Sequence, residues 1–164
     1  MVPKDFELSP YWVGISDAPG FDWEKFQDKI DKISEPLFFL LVDDETSGFI
    51  SSIVQKYSQL SSKGSNLARL IRDVVIGDIF IGDLPQELSR STGLDQSAAR
   101  EIANTVVSQL FSPILDEIKK LQSDKFPGRA TFKQQPTSIP QQNSHYQGED
   151  LPESGGNIID LRNK

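Results

Sequence analysis

Between Asp22 and Phe126 the apolar side chains recur with a helical period. Trp23, Phe26, Ile30 and Ile33 fall at spacings of 3, 4 and 3, which a turn of 3.6 residues brings onto one stripe. Asp22 stands just ahead of them, where a carboxylate can accept the first free N–H groups of a helix. Phe49, Ile50, Ile53, Val54, Tyr57 and Leu60 obey the same one-face rule behind Asp43 or Asp44. After a Ser61-Ser62-Lys63-Gly64-Ser65 loop, Leu67, Leu70, Ile71, Val74 and Val75 mark another helix, weakening near Gly77. Asp83-Leu84-Pro85-Gln86 reads as a capping box with proline in the first turn, opening a short helix that ends before Gly93. From Asp95 a long stripe follows: Ala99, Ile102, Ala103, Val106, Leu110, Ile114, Ile118 and Leu121. Pro113 falls inside it and denies a hydrogen bond to the Gln109 carbonyl. Ser112 before it, with Asp116 and Glu117 after, suits a fresh helix start better than a mere kink.

Leu37 to Val42 is a continuous apolar run and fits either a short buried helix, started by Ser34 and Pro36, or a strand. The expected fold is all-α, a compact bundle of five or six short helices over residues 22–126. Residues 1–21 read as an extended N-terminal arm, part of which Tyr11 and Trp12 can pin to the domain. Composition changes at Pro127. The 38 residues of 127–164 hold four Pro, four Gly and five Gln but only eight apolar side chains. That is too little burial to offset about 1–2 kcal/mol of backbone ordering per residue, so a disordered tail is expected.

The tail ends in a pattern of its own. Ile158, Ile159 and Leu161 bring large aliphatic groups back beside Arg162. Such a cluster gains nothing in disorder unless it docks, which suggests a linear motif bound by a partner as a strand or helical turn. Docking on its own domain and a chance cluster are the alternatives. Tyr11 and Trp12 are further partner-binding candidates, because aromatic side chains anchor interfaces.

Composition removes several chemistries. With no cysteine there is no disulfide, thiolate zinc site or cysteine nucleophile. The single histidine, His145, lies in the tail, away from any folded triad. Gly77 and Gly82 lack the context of a phosphate-cradling loop. Asp43, Glu45, Ser47, Gly48 and Ile50 match the opening of a calcium loop, but its twelfth position is Val54, which cannot ligate an ion. No catalytic residue, metal or cofactor is therefore expected. The longest apolar run, Pro36 to Val42, has seven residues, whereas a membrane span needs about 20. The opening Met1-Val2-Pro3-Lys4-Asp5-Phe6-Glu7 has no charged-then-apolar leader pattern, so a cytoplasmic protein is expected.

Residues 85–104 also resemble a helix-turn-helix, with Gly93 at the turn and Leu94 buried in it. Arg90, Gln96, Ser97 and Arg100 would be the DNA-reading side chains of a regulator. The net charge of −7 opposes nucleic acid over the molecule as a whole, but it is unevenly placed. Residues 1–50 contain eleven acidic and four basic side chains, while the later segments are balanced. A partner recognised through charge should therefore be basic and should meet the N-terminal third.

The segments Val42-Asp43-Asp44-Glu45-Thr46, Leu67 to Ile79, Gly93-Leu94 and Phe111-Ser112-Pro113-Ile114, with the ending Asn157 to Arg162, are similar to small helical-domain proteins of ultra-small candidate-phylum bacteria. The resemblance covers about half the chain and rests mostly on packing and capping residues. It implies a bacterial cytoplasmic protein and no particular activity. The expected function is a non-enzymatic adaptor, a helical domain carrying a C-terminal docking peptide. The DNA-binding regulator is the alternative, and a homo-oligomeric structural protein a third.

Overall fold

A computed structural model describes residues 7–15 and 19–129 of the chain. These belong to the first of two compact units, Met1–Thr131; the second, Phe132–Lys164, lies outside the described residues, and with it Ile158, Ile159, Leu161, Arg162 and His145. The described residues are all helix, turn and loop.

The α-helices are α1 (Trp23–Ile30), α2 (Glu35–Val42), α3 (Asp44–Lys56), α4 (Gly64–Val75), α5 (Leu84–Thr92), α6 (Gln96–Thr105) and α7 (Leu115–Lys125). Three of the acidic starts form as their sequence implies. Asp22 Oδ1 accepts the Lys25 N–H at 3.0 Å, Asp43 Oδ1 that of Glu45 at 3.0 Å and Asp95 Oδ1 that of Ala98 at 2.9 Å. Asp83 differs: it stands ahead of α5 but makes no side-chain cap. It ends a 3-10 turn, Ile81–Asp83, with helical rather than extended backbone, and its carboxylate accepts two guanidinium N–H groups of Arg129, at 2.7 and 2.8 Å.

The apolar run resolves as helix, not strand. α2 buries Leu37, Leu40 and Leu41 on one face and turns Phe39 outward. The Phe49 stripe is helical only as far as Lys56. Tyr57 is extended, and a 3-10 turn, Ser58–Leu60, returns Leu60 to full burial. The last stripe breaks where Pro113 removes its N–H: a π-helical turn, Val106–Phe111, and a 3-10 turn, Ser112–Ile114, lead into α7. Helical turns thus run unbroken by coil from Gln96 to Lys125, counting as a sixth, internally interrupted stretch.

α4 is the central helix. Leu67, Ala68, Ile71, Val74 and Val75 are wholly buried, and α3, α5 and α2 pack around them. Its end comes so close to α7 that a Cβ on Gly77, at φ 78°, would meet Lys125 Cγ at 2.9 Å. The loop after it is held by Gln122 of α7, which is fully buried. Its amide donates to Val74 O (3.2 Å) and Ile79 O (2.9 Å) and accepts from Ile81 N (3.0 Å).

The N-terminal segment is pinned to this core. Residues 7–15 form a short 3-10 turn and further turns that bury Ser9 and Val13. Tyr11 N–H donates to Leu41 O at 3.1 Å, and Arg72 Nη1 donates to Val13 O at 2.6 Å. Arg72, 7% exposed, also bonds Asp73 Oδ1 at 3.2 Å and lies 5.6 Å from the Phe26 ring centre. Burial pushes the Asp73 carboxyl above its ordinary 3.8, against the pull of Arg72. A raised folded value means that the charged form weakens folding, and that this penalty fades as pH falls through the folded value toward 3.8. The stability of wild type minus that of Asp73→Asn is expected to rise between pH 7 and 4, as read by urea unfolding at each pH.

Candidate aromatic interaction face

Seven aromatic rings from the first 39 residues form one connected cluster. Tyr11 is its hub. It meets Trp12 edge-on at 4.9 Å between centroids, Phe26 at 5.7 Å and Phe38 edge-on at 6.0 Å. From Phe26 the contacts run to Phe21 (5.4 Å) and Trp23 (5.9 Å), and from Phe38 to Phe39 (6.4 Å). Phe26 is buried and Tyr11, Phe21 and Phe38 are half-buried, so the cluster is rooted in the core. Its three outer members are 41% (Trp12), 44% (Trp23) and 56% (Phe39) exposed. These are the large exposed apolar side chains among the described residues. Aromatic side chains anchored below and open above supply contact area at little entropic cost to docking.

Of the sequence candidates, the structure brings Tyr11 and Trp12 into this face. It adds Trp23, whose place on the α1 stripe implies burial, and Phe39, whose orientation follows only once residues 37–42 are helical. An eight-residue helix with six consecutive aliphatic and aromatic residues cannot turn all of them inward.

The helix-turn-helix candidates form a different surface. Gly93, at φ 75°, ends α5, and Leu94 is buried in the turn. Lys63 Nζ caps the Thr92 carbonyl and Asn66 Nδ2 the Ser91 carbonyl at 3.0 Å, so the corner is locked by the start of α4. Arg90, Gln96, Ser97 and Arg100 are all exposed. Arg90, however, is held by Glu87 at 2.7 Å, and Glu101 stands beside Arg100. Tyr57 (2.5 Å) and Lys56 (3.3 Å) both bond Glu101 and hold its carboxyl below the usual range, so a negative charge stays on this surface.

Chemistry is sparse elsewhere. Among the described residues no group of three His, Cys, Asp or Glu side chains could hold a metal, and no helix is long and apolar enough to cross a membrane. Asp43 and Glu45, the opening of the calcium-like string, sit at the start of α3, which is already helical through Val54. An open cleft of about 220 Å³ between α2 and α7 is lined by Leu37, Leu121 and side chains of both signs, including Lys32, Lys120 and Asp124. No protein-family model matches the chain, and neither does any curated protein or solved structure.

Proposed function

We propose that the chain is a non-enzymatic protein-interaction module that docks a partner through the aromatic face of its N-terminal third. The observation that carries this reading is the continuous contact from buried Phe26 and half-buried Tyr11 out to exposed Trp12, Trp23 and Phe39. Three large rings left 41–56% exposed are apolar area that the monomer does not bury, and an interface core is enriched in this residue class. The C-terminal residues Ile158, Ile159, Leu161 and Arg162 fit a second docking element on the same chain, which makes the whole an adaptor.

Affinity purification from the native cell, comparing wild type with Trp23→Ala/Phe39→Ala, tests the reading. The double variant is expected to lose a partner that wild type retains, while unfolding free energy changes by only about 1 kcal/mol. Identical partner sets from both would refute the face as a docking site. A chain lacking residues 151–164 is expected to lose a different partner.

A further inference from the structure

The geometry points to a cationic, amphipathic polypeptide segment as the occupant of the aromatic face, an inference that rests on the interaction reading above. On α1, at about 100° per residue, Phe26 and Ile30 mark the buried stripe, and Trp23 lies at its edge. Beyond Trp23 on that side come Gln27, then Asp31 at the helix end and Glu24; Asp28 lies opposite the buried stripe, and the lysines Lys25 and Lys29 lie on the other flank. Lys29 is drawn away to Asp78, at 2.6 Å. On α2 the outward line is Glu35, Phe39 and then Asp43, a ring with a carboxylate one turn to either side. Phe39 is therefore edged by carboxylates along its helix, and Trp23 has Glu24 and Asp31 on its solvent side, with Gln27 between.

Those charges are not spent inside the fold. Among the described residues, Asp22, Glu24, Asp28, Asp31, Glu35, Asp43, Asp44 and Glu45 make no ion pair. Asp22 and Asp43 cap helices and Asp31 accepts from Gln27, while Glu24, Asp28 and Glu35 are exposed and make no side-chain hydrogen bond among the described residues. Exposed, unpaired carboxylates on the two helices that carry Trp23 and Phe39 favour a partner that brings arginine or lysine together with aliphatic or aromatic groups. The apolar groups bury against Trp23 and Phe39, and the cations take the rim and can also stack on the rings.

The probe is a synthetic amphipathic leucine–arginine peptide, with its leucine–glutamate counterpart as control, read by the emission of Trp12 and Trp23. The arginine peptide is expected to bind and the glutamate peptide not, with affinity falling as salt rises from about 50 to about 500 mM. Glu24→Gln/Asp28→Asn/Glu35→Gln is expected to weaken binding about tenfold. Asp116→Asn/Glu117→Gln/Asp124→Asn, which removes equal charge on α7, is expected to weaken it by less than about twofold. Equal losses from the two triple variants would mean generic charge attraction and would overturn the inference. So would equal binding of the two peptides. If Trp23→Ala/Phe39→Ala still abolishes native partner capture while the rim variant changes nothing, the interaction reading stands and the cationic partner falls; if that double variant also changes nothing, both fall.

Discussion

Replacing Gln122 with leucine is expected to lower the unfolding free energy by about 3–5 kcal/mol, although the side chain keeps a similar size and loses no charge. Gln122 is completely buried between α7 and the loop that follows α4, and its amide makes three hydrogen bonds there. Leucine cannot accept from Ile81 N–H or donate to the carbonyls of Val74 and Ile79. The Ile81 N–H would be left dry, and a buried unsatisfied amide costs about 1–3 kcal/mol by itself. Domains of this size are stable by about 5–15 kcal/mol, so the substitution removes a large share. Denaturant unfolding measures it directly. A loss below about 1 kcal/mol would show that the loop re-forms its bonds without the amide.

Arg72→Met is expected to cost about 2–4 kcal/mol and, in addition, to loosen Tyr11 and Trp12 within the aromatic face. The guanidinium serves three groups: the Val13 carbonyl, the Asp73 carboxylate and the Phe26 ring. Methionine fills much of the space but leaves Asp73 as a half-buried carboxylate, already above its ordinary value, without its cation. It also loosens the segment that carries Tyr11 and Trp12, which then keeps the Tyr11–Leu41 and Ser9–Leu41 hydrogen bonds to the core. The chain has two tryptophans, so in a Trp23→Phe background Trp12 alone reports. Its emission is expected to shift to the red and its anisotropy to fall in Arg72→Met. Arg72→Lys should lie between, since one ammonium can meet Val13 or Asp73 but lacks the flat fork that reaches both. An unchanged Trp12 signal in Arg72→Met would show that the segment is held without the guanidinium.

Much of the helical framework was legible residue by residue. Spacings of 3 and 4 among Phe26, Ile30, Leu67, Ile71 and Val74 depend only on the helical repeat, and all five are buried. Asp22, Asp43 and Asp95 cap because an acceptor one residue ahead of a helix finds its donors locally. Capping failed at Asp83 because a 3-10 turn, Ile81–Asp83, gives it helical backbone, and its carboxylate pairs with Arg129, 46 residues away along the chain. Tyr11 and Trp12 could be suspected as anchors from residue type alone, whereas Trp23 and Phe39 could not be recognised as exposed. Periodicity says that Trp23 shares a stripe with Phe26, not how far across that stripe the core extends.

By itself, then, the sequence determined the all-helical class, most helix starts and the concentration of negative charge in residues 1–50. These properties arise from neighbours within a few positions or from a simple count. Only the tertiary structure decided that the apolar run is a helix with Phe39 outside, and that a polar side chain, Gln122, is a core residue. It also decided that Arg72 fastens the N-terminal segment so that seven rings meet. Each of these depends on groups tens of residues apart satisfying one another's hydrogen bonds and surface, which no local spacing encodes.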